Sequence, residues 1–322
     1  MTPHIATTHE ILDDGLAPLY EQFAVHMNEP DDGAPSTEEY VVEVGRAASV
    51  LITTVGDPVT ERVFEACPNL EMIAQYGVGV DNIDLAAAAD RGVVVTNTPG
   101  VLADATADLT FALLLAVARR LRAADQYVRD GRFTRWETTT LLGMGLRGKT
   151  IGIIGLGRIG EAVGRRAVGF GMDVIYHNRR RANPTVEREL SAQYVPLQTL
   201  LETSDVVSLH CPLNEESRHL IDAEALRTMK STALLVNTAR GAVVDEAALE
   251  AALRTDEIAG VGLDVFEEEP LVHPGLFDHD RVVLSPHLGS ATVQARREMG
   301  ERCSASVLAY LNGADDVPYR VV

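Results

Sequence analysis

Three residues scattered over some fifty positions, Arg240, Glu269 and His287, carry side chains that together suit the reduction of a 2-keto acid. That reaction needs a cation for the carboxylate and carbonyl oxygen, a proton donor for the developing alkoxide, and a hydride source beside C2. Arg240 can supply a forked, permanently charged clamp. His287 is the one histidine of nine inside a Gly/Ser-rich loop after an expected strand, and imidazole donates protons near neutral pH. Glu269, in a Glu-Glu-Glu-Pro run, would pair with His287 and favour the imidazolium until its proton is delivered. Singly, each has an ordinary reading: a surface charge, a solvated acid, a histidine bonded at the edge of the core. Jointly, and at strand ends, they point to one cleft facing a nicotinamide ring.

The hydride source has its own signature. In Lys149-Thr-Ile-Gly-Ile-Ile-Gly155-Leu-Gly157-Arg158-Ile159-Gly160 an apolar strand enters a GxGxxG loop, and an amphipathic helix, Glu161 to Phe170, follows. Gly155 allows the tight turn, Gly157 lets the backbone approach a pyrophosphate, and Gly160 lets the helix pack on the strand, while the helix N-terminus offers N–H donors. The next strand, Asp173 to Tyr176, ends at His177-Asn178-Arg179-Arg180-Arg181, where an NAD site usually places an acid for the ribose hydroxyls. None is present. Arg179 and Arg180 can pair with a 2′-phosphate and Asn178 can donate to it, so NADP(H) is expected over NAD(H), which stays possible. The competing reading is a solvated helix entrance. His177 is either a stacking partner for the adenine or an exposed side chain.

The elements that must hold these residues alternate. Val50 to Thr54, a helix near Val59 to Ala66, Met72 to Tyr76, a helix near Leu85 to Asp90 and Val93 to Thr96 have the rhythm of a doubly wound parallel sheet. A second series runs from Thr150 to Ile154 through Asp173 to Tyr176, Val206 to His210, Ala233 to Asn237, Gly260 to Asp264 and Val282 to Ser285. Between them a long Ala/Leu helix is expected over Leu102 to Arg122, then a polar segment, Asp130 to Gly148, with the only tryptophan, Trp136. A last helix pattern runs from Ala291 to Leu311. The expected fold class is α/β with two doubly wound parallel-sheet domains: a Rossmann dinucleotide-binding domain, residues 99–286, inserted in a flavodoxin-like substrate-binding domain, residues 1–98 plus 287–322. The Pro/Asp/Gly stretch from Glu29 to Ser36 reads as a surface loop.

Three segments resemble signatures of the D-isomer-specific 2-hydroxyacid dehydrogenase family: Asn237-Thr-Ala-Arg240-Gly, Gly262-Leu-Asp264-Val-Phe-Glu-Glu-Glu269-Pro270 and Pro286-His287-Leu-Gly-Ser290-Ala-Thr292. The resemblance extends from the Tyr76-Gly-Val-Gly79-Val-Asp81 loop to Thr292. Within the family it is nearest the glyoxylate/hydroxypyruvate reductases, through Asn97-Thr-Pro-Gly-Val-Leu-Ala-Asp-Ala-Thr106 and the arginines after the second strand. It implies Arg240, Glu269 and His287 as the catalytic set. It places Gly77, Val78 and Gly79 at the substrate carboxylate, and Asp264 near the nicotinamide carboxamide. Thr106, Arg158, Ile159, Cys211, Pro212, Thr238, Ala239 and Gly289 fall at cofactor-lining positions by the same resemblance. Trp136 then lies in an arm that makes a homodimer and reaches the partner's substrate pocket; a plain core tryptophan is the other reading. A phosphoglycerate dehydrogenase is the main alternative enzyme, and a dinucleotide-sensing, corepressor-like binding module the alternative outside enzymes.

Composition narrows the partners. A formal charge of −19 argues against nucleic acid, whose phosphates need a basic stripe. Lys149 and Lys230 are the only lysines, so nearly all positive charge is arginine. A GC-rich genome and a salt-adapted surface both explain that balance. Cys67, Cys211 and Cys303 have no metal-ligand or disulfide-framework spacing, so no metal is expected and a reducing, cytoplasmic setting fits. No secretory signal is read at the start, and the longest apolar run, Leu109 to Ala118, is about half of a membrane span.

Overall fold

Most of the β-branched runs become short buried strands, as parallel sheets covered by helices require, with partly exposed strands toward the sheet edges. The computed structural model describes residues 3–30 and 34–322, so part of the expected Glu29 to Ser36 loop lies outside the described residues. Two units result, Met1–Leu102 with Ala291–Val322, and Ala103–Ser290.

The first unit holds β1 (Ile5–Thr7), β2 (Val25–Met27), β3 (Val50–Thr54), β4 (Met72–Tyr76) and β5 (Val94–Thr96). Their order is β2-β1-β3-β4-β5, all parallel, which is the flavodoxin-like order. The C-terminal helix Val293–Leu311 belongs to this unit and packs on the helix Asp13–Tyr20. Contact there is backbone to backbone: a Cβ added at Gly300 would lie 2.7 Å from the Cα of Gly15. Ser304 Oγ donates to Gly15 O at 2.9 Å, and Tyr76 Oη to Arg296 O at 2.5 Å.

The second unit holds β6 (Thr150–Ile154), β7 (Asp173–His177), β8 (Gln193–Tyr194), β9 (Val206–Leu209), β10 (Leu234–Asn237), β11 (Gly260–Leu263) and β12 (Val282–Leu284). Their order, β12-β11-β10-β9-β6-β7-β8, reverses direction between β6 and β9. In open α/β sheets the crevice outside the carboxyl ends at such a reversal is where ligands bind. The opposite, N-terminal edge carries both lysines: Lys149 and Lys230 lie 3.8 and 3.1 Å from the Asp205 carboxylate, just before β6, β10 and β9. Burial pushes the Asp205 carboxyl up, but the Thr150 N–H and the two ammonium groups hold it below the usual range.

One expectation is corrected. The single helix expected over Leu102 to Arg122 is two, Ala103–Ala118 and Leu121–Arg129, separated at Arg120, whose φ is +51°. The cause is tertiary. Ala118 O accepts Met144 N at 2.7 Å, so the returning chain ends the first helix. Arg120 pairs with Asp280 at 2.6 Å, and Arg122 donates to the carbonyls of Phe277, His279 and Val282.

Candidate active site

The glycine loop follows β6 at the reversal point. Gly155 has φ +98°, and a Cβ there would meet Cys211 N at 2.5 Å and His210 C at 2.6 Å, so only glycine lets the turn pass beneath the end of β9. A Cβ on Gly157 would meet nothing within 4 Å, leaving that side of the loop open to an approaching group. Gly157 also caps the helix Arg158–Gly169, which begins three residues before the expected Glu161. The first-turn N–H groups, those of Arg158 and Ile159 among them, have no preceding helical carbonyl to bond and suit an anion. A dinucleotide pyrophosphate therefore fits the residues present. Cys211 and Pro212 flank the loop; burial pushes the Cys211 thiol up to about 11, and Pro212 O accepts the Ser217 hydroxyl at 2.7 Å.

At the end of β7, Asn178 bonds the Leu156 peptide in both directions, its Oδ1 accepting from Leu156 N at 2.6 Å. Its amide therefore ties β7 to the glycine loop. Arg179 and Arg180 are exposed, and Arg179 lies 3.4 Å from Glu216. His177 stacks on Tyr194, with centroids 5.9 Å apart.

Arg240, Glu269 and His287 leave three neighbouring strands, β10, β11 and β12, on the same carboxyl edge. Asn237 shapes the first loop: its Nδ2 donates to Arg240 O at 2.8 Å and its Oδ1 accepts Ala239 N at 3.0 Å. Gly241 then lies against the next loop, where a Cβ would fall 1.8 Å from Phe266 C. Glu269 Oε1 accepts Phe266 N at 3.0 Å, and Oε2 is 2.8 Å from His287 Nδ1. Since a carboxylate only accepts, Nδ1 carries hydrogen and Nε2 is the ring atom left to serve a substrate. Burial alone would raise the Glu269 carboxyl; the hydrogen bond and charge of His287, the Phe266 N–H and the charge of Arg240 hold it below the usual range. The three residues are thus electrostatically one cluster.

His287 has φ +53°, a region that disfavours L side chains. Asp264, 1% exposed, holds it there. Asp264 O accepts His287 N at 2.7 Å, Oδ1 accepts Ser285 Oγ at 2.5 Å and Leu288 N at 2.7 Å, and Oδ2 accepts Gly289 N at 2.8 Å. Burial raises the Asp264 carboxyl in spite of these donors. Sequence reasoning placed Asp264 beside the cofactor and overlooked this grip on the histidine loop. Ser285, too, carried no signal beyond its neighbourhood. Thr106 Oγ1 donates to Gly289 O at 3.1 Å, and Thr110 and Thr238 share a hydrogen bond of 2.9 Å, so the expected cofactor-lining threonines gather behind the same loop.

Gly77, Val78 and Gly79 lie in the other unit, after β4. Thr98 N, Asn97 Nδ2 and Gln75 Nε2 donate to their three carbonyls, orienting the peptides, while Gly77 N is already bonded to Gln75 O at 2.9 Å. Trp136 is 77% exposed, which excludes the core reading, and Phe133 and Leu142 of the same polar segment are 60% and 67% exposed. Among the described residues no cluster suited to a metal ion occurs, and no helix is long and apolar enough to cross a membrane.

The family model for the D-isomer specific 2-hydroxyacid dehydrogenase NAD binding domain matches residues 111–289. A glyoxylate reductase of Thermococcus litoralis is 46% identical over 326 aligned positions, covering 100% of this chain and 97% of the relative. The crystal structure of a protein from Thermus thermophilus shares the fold with a TM-score of 0.91 at 42% identity, over 99% of this chain and 100% of that one. The NADPH-dependent glyoxylate/hydroxypyruvate reductase of Sinorhizobium meliloti, in complex with NADP and malonate, gives 0.86 at 35% identity over 100% and 97%. Identity at this level along the whole length makes the chain a member of the D-isomer-specific 2-hydroxyacid dehydrogenase family and an NAD(P)-dependent oxidoreductase.

Proposed function

We propose that the protein reduces a small 2-keto acid of the glyoxylate or hydroxypyruvate type to the D-2-hydroxy acid, with NADP(H) preferred. The observation that carries the reading is the His287–Glu269 pair at 2.8 Å, in the field of Arg240, on the carboxyl edge that also bears the glycine loop. Bound nicotinamide supplies the hydride for C2. Arg240 holds the substrate carboxylate and polarises the carbonyl oxygen. His287 gives that oxygen the Nε2 proton while Glu269 stabilises the ring that carries it. In this reading residues 103–290 take the dinucleotide, and within the first unit the Gly77-Val78-Gly79 turn is a candidate carboxylate-binding loop through the N–H groups of Val78 and Gly79. Three free cysteines suit a cytoplasmic setting.

The cofactor preference is supported by the missing acid after β7, by Arg179 and Arg180, and by the NADP complex of the Sinorhizobium relative. NADPH oxidation measured with glyoxylate, hydroxypyruvate, pyruvate and longer keto acids is expected to show turnover; silence with all of them rejects the proposal. In the same assay, replacing Arg179 and Arg180 together with serine is expected to raise KM for NADPH roughly 10-fold or more, by loss of charge-assisted bonds, and to leave NADH unchanged.

The exposed apolar arm around Trp136 supports a homodimer in which the tryptophan reaches the partner's pocket. Sedimentation is expected to give a dimer, and Trp136→Ala to raise KM for the keto acid. A fully active monomer would contradict this.

A further inference from the structure

We propose that His219 is a positioning residue that sets the spacing between Arg240 and the Glu269–His287 pair; this rests on the reading of those three residues given above. His219 touches both loops. Its N–H donates to Ala242 O at 2.8 Å, within the turn that follows Arg240, and its Nε2 lies 2.5 Å from Glu267 Oε1, two residues before Glu269. Like His287 it has a positive φ, +51°, a region that disfavours L side chains.

Glu267 is fixed in turn by Glu246. Glu267 N donates to Glu246 Oε1 at 2.8 Å, and Glu246 N to Glu267 Oε2 at 3.4 Å. Glu246 is 6% exposed, and its other oxygen accepts His273 N at 3.0 Å. Each carboxylate thus accepts the other residue's backbone N–H, and the imidazole of His219 is the side-chain donor that Glu267 receives. The consecutive acids divide the work: Glu267 turns to His219 and Glu269 to His287. Because a Cβ at Gly241 would penetrate the Phe266 peptide, the two loops are already in backbone contact, and His219 adds one bond to each of them. The titratable and charged groups linked to the assembly are Glu267, Glu246 and His273 through the bonds above, and Arg240, Glu269 and His287 of the proposed site, with Asp264 holding the His287 loop.

Replacing His219 with leucine removes the donor, while His219→Gln keeps an N–H at the same reach. The leucine variant is expected to lose kcat by about 10- to 100-fold, the scale of a misplaced catalytic group, with NADPH binding followed by fluorescence unchanged. A slackened Glu269–His287 pair is expected to move the alkaline limb of the pH–rate profile of reduction. His219→Gln restores most of kcat and returns the limb. The proposal is overturned by a leucine variant with unaltered kcat and limb, or by equal losses in both variants with the limb unmoved. If the leucine variant does not fold, Glu267→Gln takes its place: a moved limb supports the proposal and an unmoved one ends it. His287→Gln, assayed alongside, separates the two levels, since a fast His287→Gln enzyme refutes the pair's role itself.

Discussion

Replacing His287 with glutamine is expected to lower kcat for keto-acid reduction by about 10²- to 10⁴-fold, the range typical of a lost general acid. The ring stands on a left-handed backbone held by Asp264 and faces Glu269, so an amide there keeps the volume and the contact to Glu269 but has no proton to give. On the proposed reading the glycine loop and the end of β7 hold NADPH, so its binding should change little, and stopped-flow titration of the cofactor checks this. Glu269→Gln is expected to fall less, by about 10- to 100-fold, because the imidazole stays in place while losing the carboxylate that steadies it. Glu269 also gives stability a pH dependence of known sign. Its folded value lies below the ordinary 4.5, so its contribution is complete above that value and is lost as pH falls through the lower folded one. Denaturation midpoints of wild type and Glu269→Gln should therefore converge on the acid side.

Arg240→Gln should reduce kcat/KM by about 10²- to 10³-fold, comparable with deletion of one donor to a developing oxyanion. A neutral amide cannot match the fork for a carboxylate, and the loss also removes one of the charges that depress Glu269. Arg240→Lys should recover only part of the activity, since a point charge replaces a bidentate one. Adding guanidinium to the glutamine variant should restore some turnover. Unchanged kcat/KM with glyoxylate would remove Arg240 from the substrate site.

Much of this was readable in advance, and the reasons are physical. Strands such as Val50–Thr54 and Met72–Tyr76 are mostly apolar because both faces are covered, and their buried polar members Thr53 and Gln75 bond each other across the sheet. The three-residue strands Ile5–Thr7 and Val25–Met27 are too short to show any period, so the first fifty residues gave no pattern. The break at Arg120 is written in partners some 160 positions away, Asp280 among them, and helix propensity carries no trace of it. For the site, residue types at strand ends were legible because only certain groups can clamp a carboxylate or pass a proton. What holds those groups was not: Asp264 was read only as a cofactor neighbour, Glu246 and His219 are ordinary in sequence, and the holding role of all three lies in distances across loops.

The pairing of both lysines with one aspartate bears on handling the enzyme. Lys149 and Lys230 sit where β6 and β10 begin, whereas Arg240 and His287 follow strand ends of the same sheet. Amine-reactive tethers or dyes aimed at lysine side chains would find targets only along that rear margin, so the molecule could be anchored to a surface with its working rim facing the solution.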